Sequence, residues 1–170
     1  MNRLGLFSLG FALVVSTSAL SAQDSGPAND VKAIRALYQR FTDAFNRRDV
    51  AAIMSLYLPG KNLFVFDVTP PRQHMGWDDY KKDWQDLFAA FPGALHQDLS
   101  DLSITSDGKL AFSHYMVGGY FTRADGSKLA VTVRSTDALR KMNGKWLIVE
   151  EHVSVPVDLD TGKADLLSKP

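Results

Sequence analysis

Residues 95–156 read LHQDLSDLSITSDGKLAFSHYMVGGYFTRADGSKLAVTVRSTDALRKMNGKWLIVEEHVSVP, and three dipeptides divide them: Asp107-Gly108, Asp125-Gly126 and Asn143-Gly144. Such pairs supply the positive φ angles of tight hairpin turns. The runs between them are rich in β-branched and aromatic residues, which predicts four strands, roughly 95–105, 109–122, 128–140 and 146–155. Sequential hairpins make antiparallel neighbours. Gly118-Gly119 within the second run predicts a bend in a curved sheet, and Pro156 ends the last strand.

Upstream of this meander the hydrophobic period changes. Ile34, Leu37, Phe41, Ala44 and Phe45 follow the spacing of one buried helical face, with Asp30 as the expected cap. Asp49 is the expected cap of a second, short helix over 50–58, with Ile53, Met54 and Tyr57 inward and Pro59-Gly60 as its stop. Leu63 to Val68 reads as a strand ended by Pro70-Pro71. A third helix is predicted over 77–91, with Trp77, Tyr80, Trp84, Leu87, Phe88 and Phe91 on one face, stopped by Pro92-Gly93. Helices first and a long meander after predict an α+β fold, with the helices packed on one face of the sheet.

The chain has 170 residues, which fits one domain once a leader is removed. Met1-Asn2-Arg3, the apolar run Leu4–Val15 and the small residues Ala19-Leu20-Ser21 form a signal-peptide pattern over 1–22, cleaved after Ser21 or Ala22. The rival reading is a membrane anchor, but the apolar run falls short of the ~20 residues that span a bilayer. The expected division is a signal peptide over 1–22, a polar linker over 23–29, a domain over 30–156 and a polar tail over 157–170. The mature protein is expected in a periplasm or outside the cell, with no membrane segment after cleavage. With 19 Lys+Arg balancing 19 Asp+Glu, the basic excess of a nucleic-acid binder is missing. With no cysteine, disulfides, thiolate metal sites and Cys nucleophiles are excluded together.

Two carboxylates stand out. Asp67 alternates with Leu63 and Val65, and Asp137 with Val131, Val133, Ser135 and Leu139, so each belongs to a largely apolar strand face. A carboxylate in such surroundings has a raised pKa, as a general base for proton abstraction requires. The blander readings are a turn-former for Asp67 and a partner of Arg134 or Arg140 for Asp137. Arg134 alternates opposite to Asp137 on a regular strand, which points it outward unless a bulge changes the parity. His74, His96, His114 and His152 show no helical spacing of a metal pair, and no metal or other cofactor is expected. His152 alternates with Glu150 and Ser154, as an acid/base pair or an outer polar face. His114 shares its face with Phe112, Met116 and Tyr120. No phosphate loop, nucleophile elbow or dinucleotide fingerprint is present.

The helix ending Phe45-Asn46-Arg47-Arg48-Asp49, the aromatic strand ending in Asp67 and the Gly76-x-x-x-Tyr80 helix start form a set with the closing stretch. There Thr136-Asp137, Arg140-Lys141, Asn143-Gly144-Lys145-Trp146 and His152-Val153-Ser154 follow in order. This set resembles the SnoaL-like, ketosteroid-isomerase-like branch of the nuclear transport factor 2-like (NTF2-like) superfamily over about residues 30–156. The resemblance implies a cone: a curved antiparallel sheet whose concave face and helices enclose an apolar pocket for a small hydrophobic molecule, and whose outer face makes a homodimer. It implies Asp67 as general base and Asp137 as the carboxyl that donates to an oxyanion, a logic for which ketosteroid isomerase is the standing example. The first-helix tyrosine of the true isomerases falls, eight residues before Asp49, on Phe41, with Tyr38 one turn earlier and out of expected reach. A phenylalanine cannot donate, so a true ketosteroid isomerase is not expected. The expected pocket residues are Phe41, Tyr57, Trp77, Tyr80, Trp84, His114, Tyr120, Arg134 and His152. Two functions remain open: a cofactor-independent isomerase or lyase, and a non-catalytic dimeric ligand-binding or association module.

Overall fold

The computed structural model describes residues 23–168. Helix α1 spans Ala28–Asn46 and buries Ile34, Leu37, Tyr38, Phe41, Ala44 and Phe45. It starts at Pro27, whose φ of −58° is already suited to a first turn, and not at Asp30. Asp30 lies inside the first turn and is buried. Its Oδ1 accepts from Lys141 Nζ at 2.7 Å and Trp146 Nε1 at 3.1 Å, which ties the helix start to the last hairpin. Asp49 caps α2, accepting from Ala52 N at 2.9 Å. This helix covers only Val50–Met54 and stops short of the predicted 58. Backbone pairing competes: Ile148 N donates to Leu56 O and Leu58 N to Ile148 O, so the chain turns strand-like there.

Strand β1 (Phe64–Phe66) runs parallel to the last strand and antiparallel to β2 (His74–Met75), a pair of residues that sequence patterning leaves in a loop. Gly76, at φ 92°, then opens α3 (Trp77–Ala90), which buries Tyr80, Trp84 and Phe88. The meander follows as β3 (Leu95–Ser106), β4 (Leu110–Thr122), β5 (Lys128–Met142) and β6 (Lys145–Ser154). All three predicted dipeptides make its turns, with positive φ at Gly108, Gly126, Asn143 and Gly144. The result is one mixed six-stranded sheet in the order β2-β1-β6-β5-β4-β3, with the helices against its concave face. At Gly119 a Cβ would lie 2.1 Å from the carbonyl oxygen of His96, so the close approach of β3 to β4 needs a glycine.

Two irregularities bend the sheet. In β3 the register slips between Ser100 and Ser103, at Asp101 with φ 54°. In β6 one extra residue intervenes, because Ala138 pairs with Glu150 while Leu139 pairs with Ile148. The second bulge reverses side-chain parity. Trp146 and Ile148 point inward before it, and Glu151 points inward after it. The predicted tail over 157–170 is not loose where it is described. Val157 bridges Ala164, and Leu166 O accepts from Thr132 N, so the tail folds back along β5. The predicted signal peptide over 1–22 lies outside the described residues.

Candidate functional site

A cavity of about 280 Å³ lies between α1, α3 and the concave faces of β4, β5 and β6. Its walls are mainly apolar: Phe41 and Phe45 from α1, Trp84 and Leu87 from α3, Val117, Val131 and Val133 from the sheet, and Leu166 from the returning tail. Carboxyl groups interrupt this lining at two places.

The first is the floor. Asp137 on β5 and Glu151 on β6 are register partners, and both side chains turn inward. Asp137 is 0% exposed. Its Oδ2 accepts from Tyr38 Oη at 2.6 Å and Tyr115 Oη at 3.0 Å, and its Oδ1 from Ser135 Oγ at 3.1 Å. Burial raises its pKa to about 6, against the pull of these three donors. Glu151 is 3% exposed and accepts through Oε2 from Tyr57 Oη at 2.7 Å and Tyr80 Oη at 3.0 Å. Burial, reinforced by the charge on Asp137, pushes the Glu151 pKa well up. Burial also raises the phenols of Tyr38, Tyr57, Tyr80 and Tyr115, which keeps them donors. Glu151, Ser135, Tyr80 and Tyr115 border the cavity.

The second is the wall beyond β1. Asp67 follows β1 and lines the cavity with Asp83 of α3. The two carboxyls are close enough to share a hydrogen bond when one is protonated. Burial raises Asp67, against the donation of Val68 N, and raises Asp83 to about 6, with the charge of Asp67 adding to it. Behind them sits His74 of β2, 3% exposed. Its Nε2 is 3.5 Å from Asp83 Oδ1 and its Nδ1 3.4 Å from Asp79 Oδ2, yet neither nitrogen makes a hydrogen bond.

Of the predicted site residues, Asp67, Phe41, Tyr80 and Trp84 line the cavity. Tyr120 reaches its rim, with its ring beneath the Lys128 ammonium at 4.3 Å. Asp137 lies behind Ser135 and Tyr115, and Tyr57 lies behind Glu151. Five expectations need correction. Tyr57 is a buried partner of Glu151 and not a lining residue. Trp77 faces α2, donating from Nε1 to Met54 O at 2.8 Å. His114, Arg134 and His152 lie on the outer face, where Arg134 Nε donates to Ser154 Oγ at 3.0 Å and His152 stacks on Phe66. The strand parity of Arg134 holds because β5 pairs with β4 without a bulge. Tyr38 also departs from expectation. It reaches Asp137, because the carboxyl sits deeper than the residues facing Phe41.

Sequence reasoning misses Tyr115, Asp83, His74 and Glu151. Alternation with Ala111 and Ser113 is a usable signal for Tyr115. Strict alternation from Trp146 and Ile148 points to Glu150 and His152, and only the bulge brings Glu151 inward. For His74 and Asp83 the residue spacing carries no signal, because the β1–β2 pairing brings His74, and the packing of α3 brings Asp83, to Asp67.

A model of the SnoaL-like domain family matches residues 34–158. Among solved structures, the fold is similar to an NTF2-like protein of unknown function from Pseudomonas putida KT2440. That pair is 27% identical, covering 85% of this chain and 100% of that one, with a TM-score of 0.76. It is also similar to an NTF2-like superfamily protein from Salmonella enterica serovar Typhimurium (18% identity, 81% and 100% covered, TM-score 0.70). A ketosteroid isomerase-like protein from Erwinia carotovora atroseptica shares the fold as well (20% identity, 75% and 97% covered, TM-score 0.63). Among curated proteins, none matches the chain. With most of the described residues under the family model and the cone-shaped sheet in place, the chain belongs to the SnoaL-like domain family of the NTF2-like superfamily.

Proposed function

We propose that this is an exported SnoaL-like protein that takes a small hydrophobic molecule into its cavity and acts on it as an isomerase or lyase. The observation that carries the reading is the presence of two separate carboxyl centres on one apolar cavity, a buried one on the floor and a half-buried one on the wall. Titratable groups that environment drives apart are the usual mark of acid and base assignments. In this reading Asp67 is the proton acceptor, supported by its apolar surroundings and its place on the lining. Glu151, whose burial favours its protonated form, is the donor. For an isomerase, Asp67 takes a proton from a carbon beside a carbonyl, Glu151 hydrogen-bonds the enolate oxygen, and Asp67 returns the proton to another carbon. For a lyase, Asp67 takes the proton from the carbon beside the one that bears a hydroxyl, a double bond forms between the two carbons, and Glu151 gives its proton to the leaving hydroxyl, which departs as water. The volume of about 280 Å³ suits ligands at the small end of the usual range, roughly 300–1,000 Å³.

The test starts from the molecule that co-purifies with the protein, identified by mass spectrometry. Asp67→Asn and Glu151→Gln should retain its binding and lose its turnover. Turnover equal to wild type in both variants would sink the reading. Retention of an unchanged molecule by the wild type would favour the second reading, a non-catalytic dimeric binding module. That alternative draws on the exposed apolar residues of the outer face, Leu110 (50% exposed) and Phe112 (52% exposed), set among polar neighbours. We place a homodimer interface on this face under either reading. Export predicts a mature start at Ala22 or Gln23. An intact Met1 on the mature protein, found by N-terminal sequencing, would contradict it.

A further inference from the structure

Asp67, Asp83 and His74 come from three different elements, and their ligating atoms lie within 4.8 Å of one another. An acidic pair alone would say little. The second observation is His74, a side chain 4% exposed whose two ring nitrogens are both without a hydrogen-bond partner. Burying such a group unpaired typically costs about 1–3 kcal/mol, so an unpartnered imidazole in the core calls for an explanation. At 3.4 and 3.5 Å Asp79 and Asp83 are within ion-pair distance of a protonated ring, but neither accepts a hydrogen bond from it, so its two N–H sites stay unsatisfied.

The orientation of the ring supplies the explanation. Nε2 faces Asp83, on the side of Asp67, while Nδ1 faces the carboxylate of Asp79. Metal-bound histidines characteristically ligate through one nitrogen and turn the other toward a carboxylate, which fixes the tautomer. We infer that Asp67, His74 and Asp83 form a binding site for one divalent first-row transition cation, with Asp79 as the carboxylate that orients His74. One imidazole and two carboxylates suit such an ion. With metal–ligand distances of about 2.0–2.2 Å, tetrahedral ligand atoms stand roughly 3.3–3.6 Å apart and opposite ones at most roughly 4.4 Å, so atoms spread to the 4.8 Å limit would close in by up to about 1.5 Å around the ion. The three protein ligands leave open positions on the side of the cavity, because Asp67 and Asp83 both border it.

The inference rests on the reading above in sharing its proton acceptor. A cation here puts a metal-bound water where the free carboxylate of Asp67 would otherwise take the proton. Such a water loses a proton near neutral pH when zinc holds it.

The experiment is a titration of the chelator-treated protein, free of any polyhistidine tag, with Co²⁺, followed by visible absorption and by displacement with Zn²⁺. One equivalent of Co²⁺ should produce a ligand-field spectrum that one equivalent of Zn²⁺ abolishes. Asp83→Asn should remove it. Asp79→Asn should weaken the affinity about 10–100-fold, the usual effect of losing a carboxylate behind a ligating histidine. Asp79 is half exposed, and asparagine keeps an acceptor for Met75 N, so this variant should fold normally by circular dichroism. No spectrum would overturn the site. So would a spectrum unchanged by both substitutions, or one removed by changing His114 and His152 on the outer face. If Co²⁺ fails to bind while Asp67→Asn still loses turnover, the metal inference falls and the acid–base reading stands. If Co²⁺ binds and Asp67→Asn turns over normally, the reverse holds.

Discussion

Replacing Asp137 by asparagine tests whether the cavity floor is under electrostatic tension. The carboxyl is fully buried, its pKa raised from 3.8 to about 6, and no cation pairs with it. The sign follows from linkage. Between the unfolded and folded pKa values the native state holds more protons than the unfolded state, so stability falls as pH rises through that window. Below it the carboxyl is neutral in both states and the cost disappears. A shift of about two units corresponds to roughly 3 kcal/mol, and about 2–3 kcal/mol of it should develop between pH 4 and pH 8. Asparagine cannot ionise. It keeps an oxygen for Tyr38 and Tyr115, whose hydroxyls can also accept from its amide if it is turned over. Surface carboxylates lowered by local donors, such as Asp107 and Asp158, act with the opposite sign and mask the effect in the wild type alone. Urea denaturation of both proteins at pH 4 and pH 8 removes that background by subtraction. The variant should gain about 2–3 kcal/mol on the wild type between the two pH values. A difference that stays constant with pH, or one that moves against the variant, would refute the claim that Asp137 is strained by desolvation.

Two further predictions follow from the same geometry. Tyr38→Phe removes the 2.6 Å donor to Asp137 without opening the helix face, and should cost about 1.5–3 kcal/mol at pH 8 but markedly less at pH 4, read from the same urea curves; an equal loss at both values would mean that Tyr38 acts by packing alone. Phe112→Glu replaces an exposed apolar side chain of the outer face with a charge and should convert a dimer to a monomer in light scattering, and a wild type already monomeric at micromolar concentration would remove that face as an interface.

Local chemistry makes most of the fold readable. The three turns need residues that accept positive φ, and Asp107-Gly108, Asp125-Gly126 and Asn143-Gly144 are such residues, so turn chemistry alone marks out the four long strands. Helix faces are readable for the same kind of reason: Ile34, Leu37, Phe41 and Phe45 can share a stripe only at helical spacing. What escapes is set by pairing across long separations. β1 binds β6 in parallel, at a distance of some eighty residues in sequence, and no local signal records that choice. The site suffers most at the β6 bulge. Counting inward positions from Trp146 and Ile148 by strict alternation selects His152 and rejects Glu151, and a single inserted residue inverts both assignments. The inward placement of Asp137 is legible because β5 keeps its parity, and that of Asp67 because it directly continues the alternation of β1.

The two carboxyl centres differ in what surrounds them, and that difference separates their roles. Four phenols and Ser135 converge on Asp137 and Glu151, so the floor is supplied with neutral donors that offset part of the cost of burial, which still raises both carboxyls. A centre of this kind is suited to giving hydrogen bonds and protons to an oxygen in the cavity. The wall has no comparable supply. Asp67 receives donation from the backbone of Val68, Asp83 faces Asp67, and the nearest nitrogens, those of His74, are turned to the two acids without a hydrogen bond. Two adjacent carboxyls with so few donors can be stabilised by sharing a proton or by holding a cation. Sharing a proton stabilises Asp67 and Asp83, and a protonated His74 would lie within ion-pair distance of Asp79 and Asp83, but neither gives the ring nitrogens a hydrogen bond. The proposed cation would ligate one of them and give Asp79 a reason to stand behind the ring. On the proposed function the floor would supply an acid that needs no metal, and on the proposed cation site the strength of the wall as a proton acceptor would depend on whether an ion is bound.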